Sequence, residues 1–133
     1  MTVRIVRLGQ PRAKGEGTRL GTVRRPPRGV PKSEYAKRDL YDVWLPNLAP
    51  SESLLKLAQE AAAGDDARAW RGFVRRYHAE MKTPENRALL ETLAALSHHA
   101  AFSVGCYCED EARCHRSVLR ELLTARGAAI ARD

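Results

Sequence analysis

Ala101-Phe102-Ser103-Val104-Gly105-Cys106-Tyr107 decides the reading of the fold. The run is apolar, has no room for a helix, and is closed by the acidic loop Cys108-Glu109-Asp110-Glu111. A short apolar run of this kind predicts a buried strand. After the loop, Cys114-His115-Arg116 opens a helix expected from about His115 to Arg126. Its apolar face is Val118, Leu119, Leu122 and Leu123, and Gly127 is its stop. A strand, a loop and a helix N-terminus in that order make a familiar ligand position. In open α/β sheets, ligands bind outside the carboxyl ends of the strands, and exposed helix N–H groups favour anions.

Upstream of that strand the chain is helical. Thr83-Pro84 supplies an N-cap and first helical position ahead of Leu89, Leu90, Leu93 and Ala94. Trp70, Phe73, Val74, Tyr77 and Met81 recur at helical spacing after Asp65 or Asp66, and this stripe is read as core rather than as a base-stacking platform. Pro50-Ser51 precedes Leu54, Leu55, Ala58, Ala61 and Ala62, with Gly64 as the stop. Nearer the N-terminus, Val3–Leu8, Thr18–Arg25 and Leu40–Leu45 read as strands. Gly9–Gly17 and Pro26-Pro27-Arg28-Gly29 interrupt them, and a short helical turn is expected from Ser33 to Lys37. The order predicts one α/β domain over residues 1–133. A short mixed or mostly parallel sheet would be covered by about four helices in two or three layers.

The 133 residues carry 23 Lys and Arg against 16 Asp and Glu, for a formal charge of +7. The excess is local. Residues 1–38 hold eleven basic and two acidic residues, whereas the other 95 hold twelve and fourteen. A +9 block favours an anionic partner. With 44% hydrophobic and 29% charged residues, dominant disorder is excluded. No apolar run approaches the ~20 residues that span a bilayer. No signal-like stretch follows Met1, so a cytoplasmic location without a membrane partner is expected. Three cysteines within nine residues do not make a spread disulfide framework, so reduced thiols are expected.

Two constellations carry candidate chemistry. The first is Cys108, Cys114 and His115. A helix N-terminus, His115 and Arg116 would favour a Cys114 thiolate, and Glu109, Asp110 and Glu111 would oppose it if close. Cys106 reads as a small buried strand residue. Zinc is an alternative use of Cys106, Cys108, Cys114 and His115. Against it, C-x-C-x5-C-H is not a standard knuckle spacing, and adjacent Cys114 and His115 are expected to face one ion with difficulty. His98 or His99 could then substitute, but no cofactor or metal is the expectation. The second constellation is Arg24-Arg25-Pro26-Pro27-Arg28-Gly29, a stiff turn that holds arginines at low entropic cost. Arg7, Arg19, Arg24, Arg28 and Arg116 are expected to converge on one anion. Pairing of arginines with Asp39 or Asp42 is the competing expectation.

These segments resemble a bacterial family known as domain of unknown function 488, which includes the YeaO-like proteins. The resemblance runs through Arg7-Leu8, Glu16-Gly17, Thr18-Arg19, Arg24-x-x-Pro27-Arg28-Gly29-Val30, Trp44, Pro50-Ser51 and Phe73…Tyr77…Glu80-Met81. Cys114-His115-Arg116 is similar to the family's cysteine-containing branch. The resemblance implies a small cytosolic α/β domain and no established reaction. The expected function is binding of a phosphate-bearing small molecule or nucleotide beside the Cys-His-Arg turn. Thiol or acid–base chemistry by Cys108, Cys114 and His115 would accompany it if the protein is an enzyme. The alternative is a non-catalytic nucleic-acid-binding or regulatory module using the basic N-terminal third.

Overall fold

A computed structural model describes residues 1–64 and 66–132. Four strands, β1 (Val3–Arg7), β2 (Thr18–Gly21), β3 (Val43–Trp44) and β4 (Phe102–Cys106), form a sheet in the order β1-β4-β2-β3. Every pairing is parallel. β4 is therefore central. Phe102 pairs with both Val3 and Thr18, and Gly105 with both Val6 and Gly21. All five β4 residues are buried, as its unbroken apolar run requires.

Four helices follow the expected caps: α1 (Glu52–Gly64), α2 (Ala67–Glu80), α3 (Pro84–Leu96) and α4 (His115–Ala125). The Ser51 hydroxyl accepts from Leu54 N–H, Asp66 from Arg68 and Ala69 N–H, and Thr83 from Asn86 N–H. Asp65, the other candidate start of α2, lies outside the described residues. All four helices feed one core with Val3, Ile5, Phe102 and Val104, which share a sheet face. The helices thus form a single layer against the sheet. Chain without regular helix covers the other face, so the two-layer expectation is the correct one.

Two expected strands are shorter than their sequences suggested. β2 ends at Gly21: Thr22 N–H still donates to Gly105 O at 2.9 Å, but Thr22 O turns to His115 Nε2 at 2.8 Å, and its hydroxyl shares Gly105 O. β3 keeps only Val43–Trp44, since Asp42 accepts from Arg19 N–H and its carboxylate also holds Arg12. The expected turn at Ser33–Lys37 is a 3-10 turn at Lys32–Glu34.

The loop from β1 to β2 must cross beneath β4, and Gly17 permits it. Its φ is +80°, and a Cβ there would sit 1.9 Å from the backbone oxygen of Ala101. Beside this crossing, on the face opposite the helices, Glu16 and Arg19 form an ion pair at 2.8 Å. Each residue is at most 3% exposed. Ser103 donates to Glu16 at 2.7 Å, and Arg19 also donates to the carbonyls of Gln10 and Asp39. After α4 the chain returns to the sheet. Ile130 bridges Val3 in parallel, and Ala131 N–H donates to Val3 O at 2.9 Å. No helix among the described residues is long and apolar enough to cross a membrane.

Candidate functional site

All strands point the same way, so their carboxyl ends share one edge. Thr22 and Val23 leave β2 there, Cys106 ends β4, and Cys114 caps α4. A cavity of about 470 Å³ opens at this edge. Its lining includes Cys106, Tyr107, Cys108 and His115 together with the turn Arg24-Arg25-Pro26-Pro27-Arg28.

His115 is 3% exposed. Its Nε2 lies 2.8 Å from the backbone oxygen of Thr22 and 3.2 Å from the Thr22 hydroxyl. A carbonyl oxygen can only accept, so Nε2 carries a proton. Nδ1 is then the nitrogen turned towards Cys114 Sγ, 3.7 Å away. The ring packs edge-on to Tyr77, with centroids 5.6 Å apart. Tyr77 is itself fixed by donating to Leu48 O at 2.6 Å.

Three sulfurs meet beside this imidazole. The Cys106 and Cys108 sulfurs lie 3.7 Å apart. Hydrogen bonds from the Cys106 and Cys108 thiols hold Cys114 well below the ordinary thiol range; burial opposes them and His115 reinforces them. The same sharing among thiols, with burial, pushes Cys106 far up. The Cys106 contact lowers Cys108, but the contact with Cys114 and burial outweigh it, so Cys108 is raised. Of the three thiols, Cys114 is thus the one most readily ionised. Arg116 Nε donates to that sulfur at 3.5 Å, and its NH2 group holds Cys108 O at 2.5 Å.

Two of the three acidic residues are engaged by partners of their own. Glu111 is bound by both Nε and NH2 of Arg120 at 2.7 and 2.9 Å, and Asp110 caps the 3-10 turn Glu111–Arg113. Adjacent Cys114 and His115 do face one point, contrary to expectation. Cys114 is extended (φ −125°, ψ 152°) just before the first helical residue, which aims both side chains inward. The donor atoms of Cys106, Cys114 and His115 all lie within 4.8 Å of one another. His98 does not join them. It precedes the opposite end of β4 and binds Gly127 O at 2.7 Å. His99 is likewise absent from the cluster.

The five arginines do not converge. Arg24 and Arg28 line the cavity. Arg24 is committed to the carbonyls of Pro46, Ala49 and Pro50, whereas Arg28 is exposed and has no partner among the described residues. Arg116 is 3% exposed and serves the cysteines instead of the cavity. Arg7 reaches Tyr107 O at 3.4 Å, and Arg19 is spent on Glu16 across the sheet. The competing expectation for Asp39 and Asp42 is met by Arg12, at 3.5 and 2.7 Å. Arg25, named in the stiff turn but not among the five converging arginines, also lines the cavity, and sequence reasoning missed Thr22 and Tyr77 as supports of His115. No local pattern marks the last two, which reach His115 from distant segments.

Comparison with protein-family models matches residues 3–127 to DUF488-N3a, described as the active DUF488-N3 subclade. No curated protein and no solved structure matches.

Proposed function

The chain belongs to the DUF488 family, and for this member we propose a binding site for a phosphate-bearing small molecule or nucleotide. The carrying observation is the cavity of about 470 Å³ at the carboxyl edge of the parallel sheet, lined by Arg24, Arg25 and Arg28 and by Cys108 and His115. That volume suits a ligand of nucleotide size. Arg28 is the principal anion contact, since its guanidinium is uncommitted. Arg25 is exposed and paired only with an exposed Glu52, a bond that an incoming phosphate can replace at little cost. Pro26 and Pro27 keep the two guanidinium groups from scattering. In the metal-free chain the cysteines and His115 supply the chemistry. His115 Nδ1 takes or returns a proton, Cys114 is the most readily ionised thiol, and Cys108 is the sulfur exposed to solvent.

The alternative, a basic surface that tracks a nucleic-acid backbone, has less support. Arg12, Arg19 and Arg38 are ion-paired, and Arg24 is held by backbone carbonyls. Much of the N-terminal excess charge is therefore spent within the protein. Thermal-shift screening against nucleotides, phosphosugars and short oligonucleotides tests the proposal. A mononucleotide or phosphosugar that stabilises the chain supports it. Stabilisation by oligonucleotides alone, lost steeply with salt, sinks it in favour of the alternative.

A further inference from the structure

We propose that Cys106, Cys108, Cys114 and His115 form a tetrahedral site for a borderline-soft divalent ion of the zinc type.

Zinc–sulfur and zinc–nitrogen bonds of ~2.3 and ~2.0–2.1 Å at tetrahedral angles place two sulfurs ~3.8 Å apart, and a sulfur and a nitrogen ~3.6 Å apart. Cys106 Sγ and Cys108 Sγ are 3.7 Å apart. Cys114 Sγ and His115 Nδ1 are also 3.7 Å apart. Cys106 ties the two pairs together, because its sulfur lies within 4.8 Å of both Cys114 Sγ and the His115 ring nitrogen. Cys106, Cys114 and His115 therefore already stand close enough to share one ion, and Cys108, whose sulfur lies beside Cys106 but outside that group of three, must bring its sulfur inward to complete the tetrahedron.

The surroundings are those of a ligand set. A metal-bound histidine usually donates its other ring N–H to a carbonyl or carboxylate, which orients the ring. His115 Nε2 does this to Thr22 O at 2.8 Å, leaving the Nδ1 lone pair inside the cluster. Three thiolates and a neutral imidazole on a divalent ion leave one net negative charge. Arg116 is the buried cation that balances it, with Nε 3.5 Å from Cys114 Sγ. Without an ion, the same positions crowd three thiols against a buried imidazole and guanidinium. Metal binding would release the thiol protons and use all three sulfurs as ligands. The loaded site is then distinct from the thiol chemistry of the metal-free chain, and it does not rest on the anion-pocket reading.

Titration of the reduced full-length chain with Co(II) tests the site, after a thiol assay has confirmed all three cysteines free. Tetrahedral cobalt bands should appear in the visible, with sulfur-to-cobalt charge transfer in the near ultraviolet. Both should saturate at one cobalt per chain, and zinc should bleach them. Cys108→Ser, at an exposed position, should keep the visible bands and lose about a third of the charge-transfer intensity. Cys114→Ser should weaken cobalt binding by at least tenfold, with circular dichroism checking that it folds. A fully reduced chain without sulfur-to-cobalt absorption overturns the proposal. So does a Cys108→Ser spectrum identical to that of the parent. Nucleotide titration of the same samples reads the cavity separately, so failure of either site is visible without the other.

Discussion

His115 Nε2 stands 2.8 Å from Thr22 O, and this one contact between the end of β2 and the start of α4 decides which way the imidazole faces. A side chain on one element is read by the backbone of another, 93 residues away. Because a backbone atom fixes the tautomer, the hydroxyl of the same threonine should be dispensable for it.

Thr22→Val makes that argument testable. The hydroxyl donates to Gly105 O, which keeps a second donor in Thr22 N–H. The variant should lose roughly 0.5–1.5 kcal/mol in urea unfolding. Nitrogen NMR should find His115 protonated at Nε2 in both proteins when neutral. A neutral ring protonated at Nδ1 would contradict the arrangement.

Glu16 should dominate the acid limb of stability. Burial raises its pKa, but hydrogen bonds from Arg19, Ser103 and Ala13 N–H outweigh this and bring it down to about 2. A group depressed in the folded state stabilises above its unfolded value, and that contribution disappears as pH falls towards the folded value. Stability should therefore decline between about pH 4.5 and pH 2. Glu16→Gln should flatten that decline and cost about 3–5 kcal/mol at neutral pH, because Arg19 stays buried without its counter-charge. Urea midpoints across pH would show both effects.

Gly17→Ala and Gly29→Ala separate backbone strain from collision. Both glycines have positive φ, +80° and +71°, but a Cβ at Gly29 meets nothing within 4 Å. Gly29→Ala should cost about 1 kcal/mol, from the backbone alone. Gly17→Ala adds a clash with Ala101 O and should cost a further 1–3 kcal/mol or so by forcing the crossing loop away from β4. Equal melting temperatures for the two variants would refute the difference.

Arg24→Ala and Arg28→Ala should divide stability from binding. Arg24 donates to the carbonyls that lead into α1, so its loss should cost about 1.5–3 kcal/mol. Arg28→Ala should leave the unfolding midpoint within ~0.5 kcal/mol of the parent, as expected of an exposed unpaired side chain. It should nevertheless weaken the best phosphate ligand of the screen at least tenfold. Calorimetric titration beside urea unfolding measures both.

Much of the architecture was legible because single residues announced it. The unbroken apolar run of Phe102–Cys106 gave the central strand, and Ser51, Asp66 and Thr83 cap the helices expected of them. The Trp70–Met81 stripe is core. The ends of β2 and β3 were not legible, because Thr22 O turns to His115 and the Asp42 carboxylate takes Arg19 N–H and Arg12. The arginines misled for a related reason. Charge in a sequence carries no direction, and Arg19 turns inward to Glu16 while Arg116 turns to sulfur. The Cys-His pair was undervalued because neighbours in a chain diverge in regular structure. Cys114 lies just outside the helix, where that rule lapses.

The central place of β4 also sets the order in which the chain can fold. β1 and β2 are separated by ten residues yet never touch as a pair; both pair with residues 102–106, and only β2 has a second strand, the two-residue β3, on its other side. Val3 must wait for Phe102, 99 residues later, which at ~5–20 residues per second of synthesis is a delay on the order of 5–20 s. Until then the N-terminal strands have no more than the two-residue β2–β3 pairing to join, and α1–α3 lack the central strand of their floor. The protein is thus built around a keystone delivered late. Contacts this distant in sequence predict slow, nearly all-or-none assembly, in which the edge bearing the cavity and the cysteine cluster forms together with the sheet itself.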